Sequence, residues 1–356
     1  MPSLAVTSQG PLGCGSYIAR LVNDGRVILE ARKVTSVLWN RRLDEPSSAT
    51  LTIPVQGSDL RACCEGPNRI EPLRTELIIE RNGIVVWQGW VMRDVAFRRD
   101  NIVINAHDIL KWTERRLLND NHVNVATDLT DIALDYFADS NLSDLPWAIQ
   151  SIPTGILADR TVLATEHRFA SEALKELYDT GLDATVIAGV LLLGPETQTC
   201  GTLFLRDTQI DGDPEVKLDG DQRATRVIVK GANGIVSIYP PTPPTVCYRH
   251  ADYLTSDESI LDQASADYRA LTLYQRLSSS HPYYISIPQG SSLSPETPIH
   301  VNALVPGNIF QFYSQSLCIP IGQAVRLTAV DAEAAGDSEQ IRVTFSPIGD
   351  DEGDLL

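Results

Sequence analysis

The chain has 356 residues, 43% of them hydrophobic, and a formal net charge of −17. That apolar content is enough for two or three folded domains and excludes global disorder. The acidity excludes a nucleic-acid binder working by phosphate neutralisation and disfavours contact with an anionic membrane surface.

The opening MPSLAVTSQGPLGCGS has no charged n-region and no apolar stretch of leader length, and no run approaches the roughly 18 apolar residues of a membrane span. Cys14, Cys63, Cys64, Cys200, Cys247 and Cys318 form no C-x-x-C pair and are expected as reduced structural thiols. Residues 1–15 read as a loose arm. Two strands follow at 16–22 and 26–31 around Asn23-Asp24-Gly25, then 34–40, then 50–54, then a polar loop over 57–68.

The most informative stretch is 77–118. Asn82-Gly83 joins two β-branched runs and predicts a two-residue type I′ turn, because both central residues need φ > 0. A third run places Ile102, Ile104 and Ala106 on one face. Asp108 stands where a helix N-cap belongs, ahead of a stripe of Ile109, Leu110, Trp112 and Leu117. Residues 16–118 form one β-rich domain.

Residues 119–220 predict a smaller α+β domain. Leu129, Ile132, Ala133, Tyr136 and Phe137 share a helix face, with Thr127 or Asp128 as cap. A second helix over 169–180 turns Phe169, Ala173, Leu174, Leu177 and Tyr178 inward and ends at Gly181. Strands are expected at 184–193, as one buried strand, and at 202–206.

Residues 221–347 return to β. Asn233-Gly234 between two apolar runs echoes Asn82-Gly83, and two readings stand: an internal duplication, or unrelated hairpins sharing a favoured turn. The proline-rich stretch 239–245 is an extended spacer. Ser256 caps a helix carrying Ile260, Leu261, Ala264, Tyr268 and Leu271. Strands are expected at 283–287, 309–313, 325–330 and 341–345, with a turn at Val305-Pro306-Gly307-Asn308. Residues 348–356 are an acidic tail.

Chemistry is sparse. The sequence has no G-x-S-x-G, H-E-x-x-H, P-loop or G-x-G-x-x-G. Gly13-Cys14-Gly15-Ser16 lacks the aromatic of a cysteine-protease signature. His107, His122, His167, His250, His281 and His300 are scattered and read as exposed or hydrogen-bonded. Glu166 suits a helix start. Asp211-Gly212-Asp213 lacks the third acidic ligand and downstream Glu of a calcium loop, Glu215 being too close, and reads as a turn. No catalytic, cofactor-binding or metal-ligating residue is assigned, and no cofactor. Trp39, Trp87, Trp90, Trp112 and Trp147 are candidate sugar platforms; Trp87 and Trp90 have opposite strand parity, so one suits a core and the other an interface.

Four blocks in order carry a resemblance. They are W-x-x-R-x-D-E-P-S-S-A-T-L-T-I-P from Trp39 to Pro54, then Trp87-Gln88-Gly89 with Val103-Ile104-Asn105-Ala106-His107-Asp108 and Arg115-Arg116, then Leu174-x-x-Leu177-Tyr178-x-x-Gly181. The last comprises Leu304-Val305-Pro306-Gly307, Val325-Arg326-Leu327 and Val343-Thr344-Phe345-Ser346-Pro347. Together they resemble the baseplate or tail-tip hub proteins of tailed bacteriophages, in particular hub-like minor tail proteins of long-tailed phages infecting actinobacteria.

The resemblance implies a mainly β fold: two β-barrel-like tube domains, 16–118 and 221–347, with the α+β insertion 119–220 and flanking segments 1–15 and 348–356. It implies a non-enzymatic virion protein, assembled in the host bacterial cytoplasm and placed at the tail tip. Three copies would form a ring with a pseudo-sixfold collar. Implied partners are the chain itself as a homotrimer, the distal tail protein, the tape measure protein and other tail-tip proteins. Phage DNA would pass the lumen during genome ejection without specific binding, repelled by inward carboxylates. No membrane insertion and no C-terminal peptidase extension are implied. Two other readings remain: a carbohydrate-binding adhesin using exposed tryptophans, and a cell-wall hydrolase.

Overall fold

The computed structural model describes residues 12–54, 69–140, 145, 147–195, 203–218, 224–242, 250–256, 263–278, 283–315, 321–336 and 338–347. The expectations for 1–11, the loop 57–68 with Cys63 and Cys64, Cys200, Cys247, Cys318, His281, Ile260, Leu261 and the acidic tail lie outside these residues, and the proline-rich spacer is described to 242. Two compact units divide the chain: 1–213 with 287–314 and 324–346, and 214–286 with 315–323 and 347–356.

Tight turns organise the first unit. β1 (Tyr17–Asn23) and β2 (Arg26–Ala31) pair across Asp24 and Gly25, whose φ values are 47° and 77°. β3 (Ser36–Arg42) and β4 (Ser48–Pro54) follow. β5 (Glu76–Arg81) and β6 (Ile84–Phe97) join through Asn82 and Gly83 at φ 52° and 79°, the predicted type I′ geometry. In β7 (Asn101–His107) Ile102, Ile104 and Ala106 are the buried set, as the alternation requires. Gly89 has a steric reason: a Cβ there would lie 2.2 Å from the His107 carbonyl oxygen.

α1 (Leu110–Thr113), a single turn, comes just before the insertion. Asp108 is not its N-cap residue, which is Ile109; the Asp108 carboxylate instead accepts from Leu110 and reaches back to Ser47. β8 (His122–Asp128) leads into α2 (Leu129–Asp139), where Asp128 caps through Thr130 N–H and all five predicted residues are buried. β9 (Ala148–Ser151) and β10 (Leu157–Val162) precede α3 (Ala170–Tyr178). Phe169 is not inward: it is the residue before the helix and is 40% exposed, while Ala173, Leu174 and Leu177 are buried. The run expected as one strand folds in two, β11 (Leu182–Ile187) and β12 (Val190–Pro195), about Ala188 and Gly189 at φ 50° and 80°. The insertion core is Leu129, Ile132, Phe137, Leu174, Leu177, Leu182 and their neighbours, joined by Trp90 and Met92 of β6.

β13 (Leu203–Arg206) and β14 (Ile210–Asp211) follow. The second unit holds β15 (Glu215–Leu218), β16 (Arg226–Lys230), β17 (Val236–Tyr239), β18 (Asp252–Ser256), α4 (Gln263–Leu277) and β19 (Tyr283–Ser286). Its three-stranded sheet runs β17-β16-β18, with Val227, Val229, Ala266, Ala270 and Leu273 as core. Ser256, expected as a helix cap, is the last residue of β18, and residues 257–262 between it and α4 lie outside the described ones. The helix turns Ala266, Ala270 and Leu273 inward and leaves Tyr268 73% exposed. The second Asn-Gly sits in a 3-10 turn with only Gly234 at positive φ, so its turn differs from the type I′ turn at Asn82-Gly83.

β20 (Ser291–Leu293), β21 (Ile309–Ser314), β22 (Ile321–Ala335) and β23 (Ser338–Pro347) close the chain. The main sheet has 13 strands in the order β14-β20-β23-β22-β3-β4-β7-β6-β5-β1-β2, with β21 on β22 and β13 on β21. Its N- and C-terminal strands meet where β3 pairs antiparallel with β22, Arg42 opposite Ala329 and Trp39 opposite Ala332. The fold is mainly β with an α+β insertion.

Candidate functional site

Three buried polar nodes fix the geometry of the first unit. The first joins the N-terminal segment to the last strand. Glu339 on β23 and Arg81 on β5 are both 1% exposed at the side chain, and Arg81 Nε and Nη2 each donate at 2.7 Å to the carboxylate. Tyr17 donates at 2.5 Å, and the N–H groups of Gly13 and Gly15 donate at 2.9 and 3.0 Å. Burial pushes the Glu339 carboxyl up, but hydrogen bonds from Arg81 and Tyr17 and the Arg81 charge outweigh it and hold it below its ordinary value. Residues 12–15, expected as part of a loose arm, are therefore tied down, and Leu12 is 2% exposed.

The second node is Arg41 on β3. It is fully buried, stacks 5.0 Å from the Trp39 ring and donates to the carbonyls of Val301, Leu304 and Val86 and to Asn302. Burial lowers its guanidinium to about 10. Val301, Asn302 and Leu304 sit just before the predicted Val305–Asn308 turn, where Gly307 has φ 96°, and Val86 lies on β6. Sequence parity carried this signal: Val37, Trp39 and Arg41 alternate onto one face of β3.

The third node seats the insertion on the main sheet. Asp108 accepts from Ser47 N–H at 2.9 Å and from Leu110 N–H at 3.0 Å; burial raises its carboxyl to about 7 against those bonds. Asp44, at φ 59°, exchanges two hydrogen bonds with Ala184 of β11. Thr185 donates to the Arg42 carbonyl, and Arg326 on β22 pairs with Asp183. The D-E-P-S-S block and the N-A-H-D block thus meet at one junction. Beside it, the turn 43–46, α1 and α3 line a cleft of about 530 Å³.

The remaining candidates do not converge. Cys14 is an exposed free thiol. His107 is held low by burial first and then by Lys111 and Arg93. His122 lies 3.0 Å from Asp139, which also accepts from Asn119 and Asp120 N–H groups. Glu166 ends a 3-10 turn, and His167 follows it at φ 50°. His250 and His300 are exposed, as are Asp211, Asp213 and Glu215, with Asp211 in β14 opposite Ser292. Among the described residues no group of three His, Cys, Asp or Glu side chains is placed to hold a metal ion. Trp39, Trp87 and Trp90 are buried, Trp90 meeting Trp112 edge-on at 6.4 Å; Trp112 and Trp147 pack against the insertion core. Both tryptophans of β6 are therefore interior, on opposite faces.

No family model matches the chain, and no curated protein matches it. Solved structures do. The 43 kDa tail protein of prophage MuSo2 from Shewanella oneidensis is 12% identical, with TM-score 0.59, over 93% of this chain and 98% of that one. The tail protein from Neisseria meningitidis is 13% identical, with TM-score 0.57, over 93% and 96%. An Escherichia coli component of the type VI secretion system, itself structurally similar to the T4 bacteriophage tail proteins gp27 and gp5, is 10% identical, with TM-score 0.52, over 93% and 77%. The chain has the fold of phage tail hub-like proteins.

Proposed function

We propose that the chain is a non-enzymatic structural protein of a phage-type tail, acting as a trimeric hub ring between tail tube and tail tip and forming part of the ejection channel. The carrying observation is the fold: almost the whole chain superposes on almost the whole of two tail proteins. In this reading the regions 16–118 and 221–347 serve as tube domains, 119–220 decorates the ring, and the neighbours are the distal tail protein, the tape measure protein and other tip proteins of a long-tailed actinobacterial phage. The acidity of the chain suits a lumen past which DNA slides. Heterologous contacts that close by rotation give such a ring.

Electron micrographs of the purified chain test this: closed rings with threefold symmetry are expected. Single particles without symmetry at all concentrations would sink it. The adhesin reading loses its main feature, since none of the five tryptophans is exposed. Incubation with host peptidoglycan is expected to release no fragments, and release would favour the hydrolase.

A further inference from the structure

The first unit carries two complementary features at opposite ends of the same strands. One is the tip of the β6–β7 hairpin. Phe97 is 51% exposed there, and Arg98 and Arg99 are exposed, with no ion pair among the described residues. The tip thus presents an apolar ring beside two positive charges, a pairing suited to an apolar site rimmed by carboxylates. The other is the cleft beside the insertion junction. Leu43, Pro46, Leu110 and Tyr178 give it apolar walls. Around them stand Asp44, Glu45, Glu114, Glu172 and Asp179, against Lys175 as the lone cation of the lining. Glu114 pairs with Lys111, whereas Glu45, Glu172 and Asp179 have no ion-pair partner among the described residues.

Register keeps the two apart within one chain. Pro54 and Asn101 pair beside the hairpin tip, and Ser48 and His107 pair beside the cleft. Seven residues of β7 separate those ends, about 20 Å at strand rise. The tip of a chain therefore does not fill its own cleft, and a cleft of about 530 Å³ is of a size that takes a few side chains.

We propose that the Phe97-Arg98-Arg99 tip of one copy seats in the Asp44-Glu45/Glu172-Asp179 cleft of a second copy. The contact is head-to-tail, so each copy offers one tip and one cleft, which is what a closing ring needs. It rests on the ring reading above and names the surfaces that would make the ring. The apolar walls receive Phe97 and the carboxylates receive the guanidinium groups, which sets register and orientation more than raw affinity.

The test is sedimentation of the full chain over a range of concentrations. R98E/R99E and E45K/E172K are each expected to weaken self-association by about tenfold or more, and all four substitutions in one chain to restore it to within about threefold. The four sites are exposed, so far-UV circular dichroism should be unchanged. If a variant fails to fold, the wild-type chain still decides: raising salt from about 0.05 to 0.5 M should weaken its association markedly. Variants that assemble like the wild type, a fourfold swap that regains nothing, or salt-independent association would overturn the contact while leaving the ring reading intact. A wild-type chain that stays single at every concentration would overturn both.

Discussion

Glu339 shows how much one side chain does in this fold. It holds the segment ahead of β1, the end of β5 and the last strand together in a site closed to water. Glu339→Gln keeps the shape but leaves Arg81 buried without its counter-charge, and is expected to cost about 3–5 kcal/mol in urea unfolding. Because the folded carboxyl lies below its unfolded value, its contribution is present above the ordinary carboxylate range and lost as pH falls through the folded value. Asp108 has the opposite sign. Its folded value of about 7 lies above the unfolded one, so between about pH 4 and 7 the folded state holds a proton that the unfolded state has released. Stability should fall across that window and level off above it. Asp108→Asn should flatten the slope between those limits; an unchanged slope would remove Asp108 as its source. Arg41 was visible as a residue at inward parity behind Val37 and Trp39. The Arg81–Glu339 pairing was not, since 258 positions separate the partners and local pattern carries no information on who meets whom.

Turns and caps decide the elements. Asn82-Gly83 was legible because its chemistry is specific to positive φ. Ala188-Gly189 adopts the same conformation without the Asn, so the flanking apolar runs read as one strand. Ala188→Asn is therefore expected to stabilise by about 1 kcal/mol, seen as a rise of a few degrees in thermal midpoint. Asp128→Ala should destabilise by about 1–2 kcal/mol, since the carboxylate caps α2 and also accepts from Thr154 and Gly155. Composition misleads at the helix after β18: Tyr268 and Leu271 suggest the apolar face, but Ala266, Ala270 and Leu273 form it, because small side chains let the helix lie close on β16 and β17. The Trp87-Gln88-Gly89 motif has a basis that sequence pattern does not show. Its glycine is set by the His107 carbonyl, and its Gln88 donates to Glu76, whose carboxyl burial raises.

At the scale of the molecule, mainly β composition and the inserted helices were readable from periodicity. The pairing of β3 with β22, which fuses the two ends of the chain into one sheet, was not, because strand partners far apart in sequence leave no local trace. At the junction around Asp108 the first and second blocks meet through Ser47, and the first and last blocks reach the insertion through Thr185 and Asp183. The mass of the purified chain in solution tests the proposed ring of three chains most directly, one copy being 39.0 kDa. A species of three times that mass, persisting on dilution, is the expected result. A single-copy mass at every concentration, or a stable dimer, would contradict it.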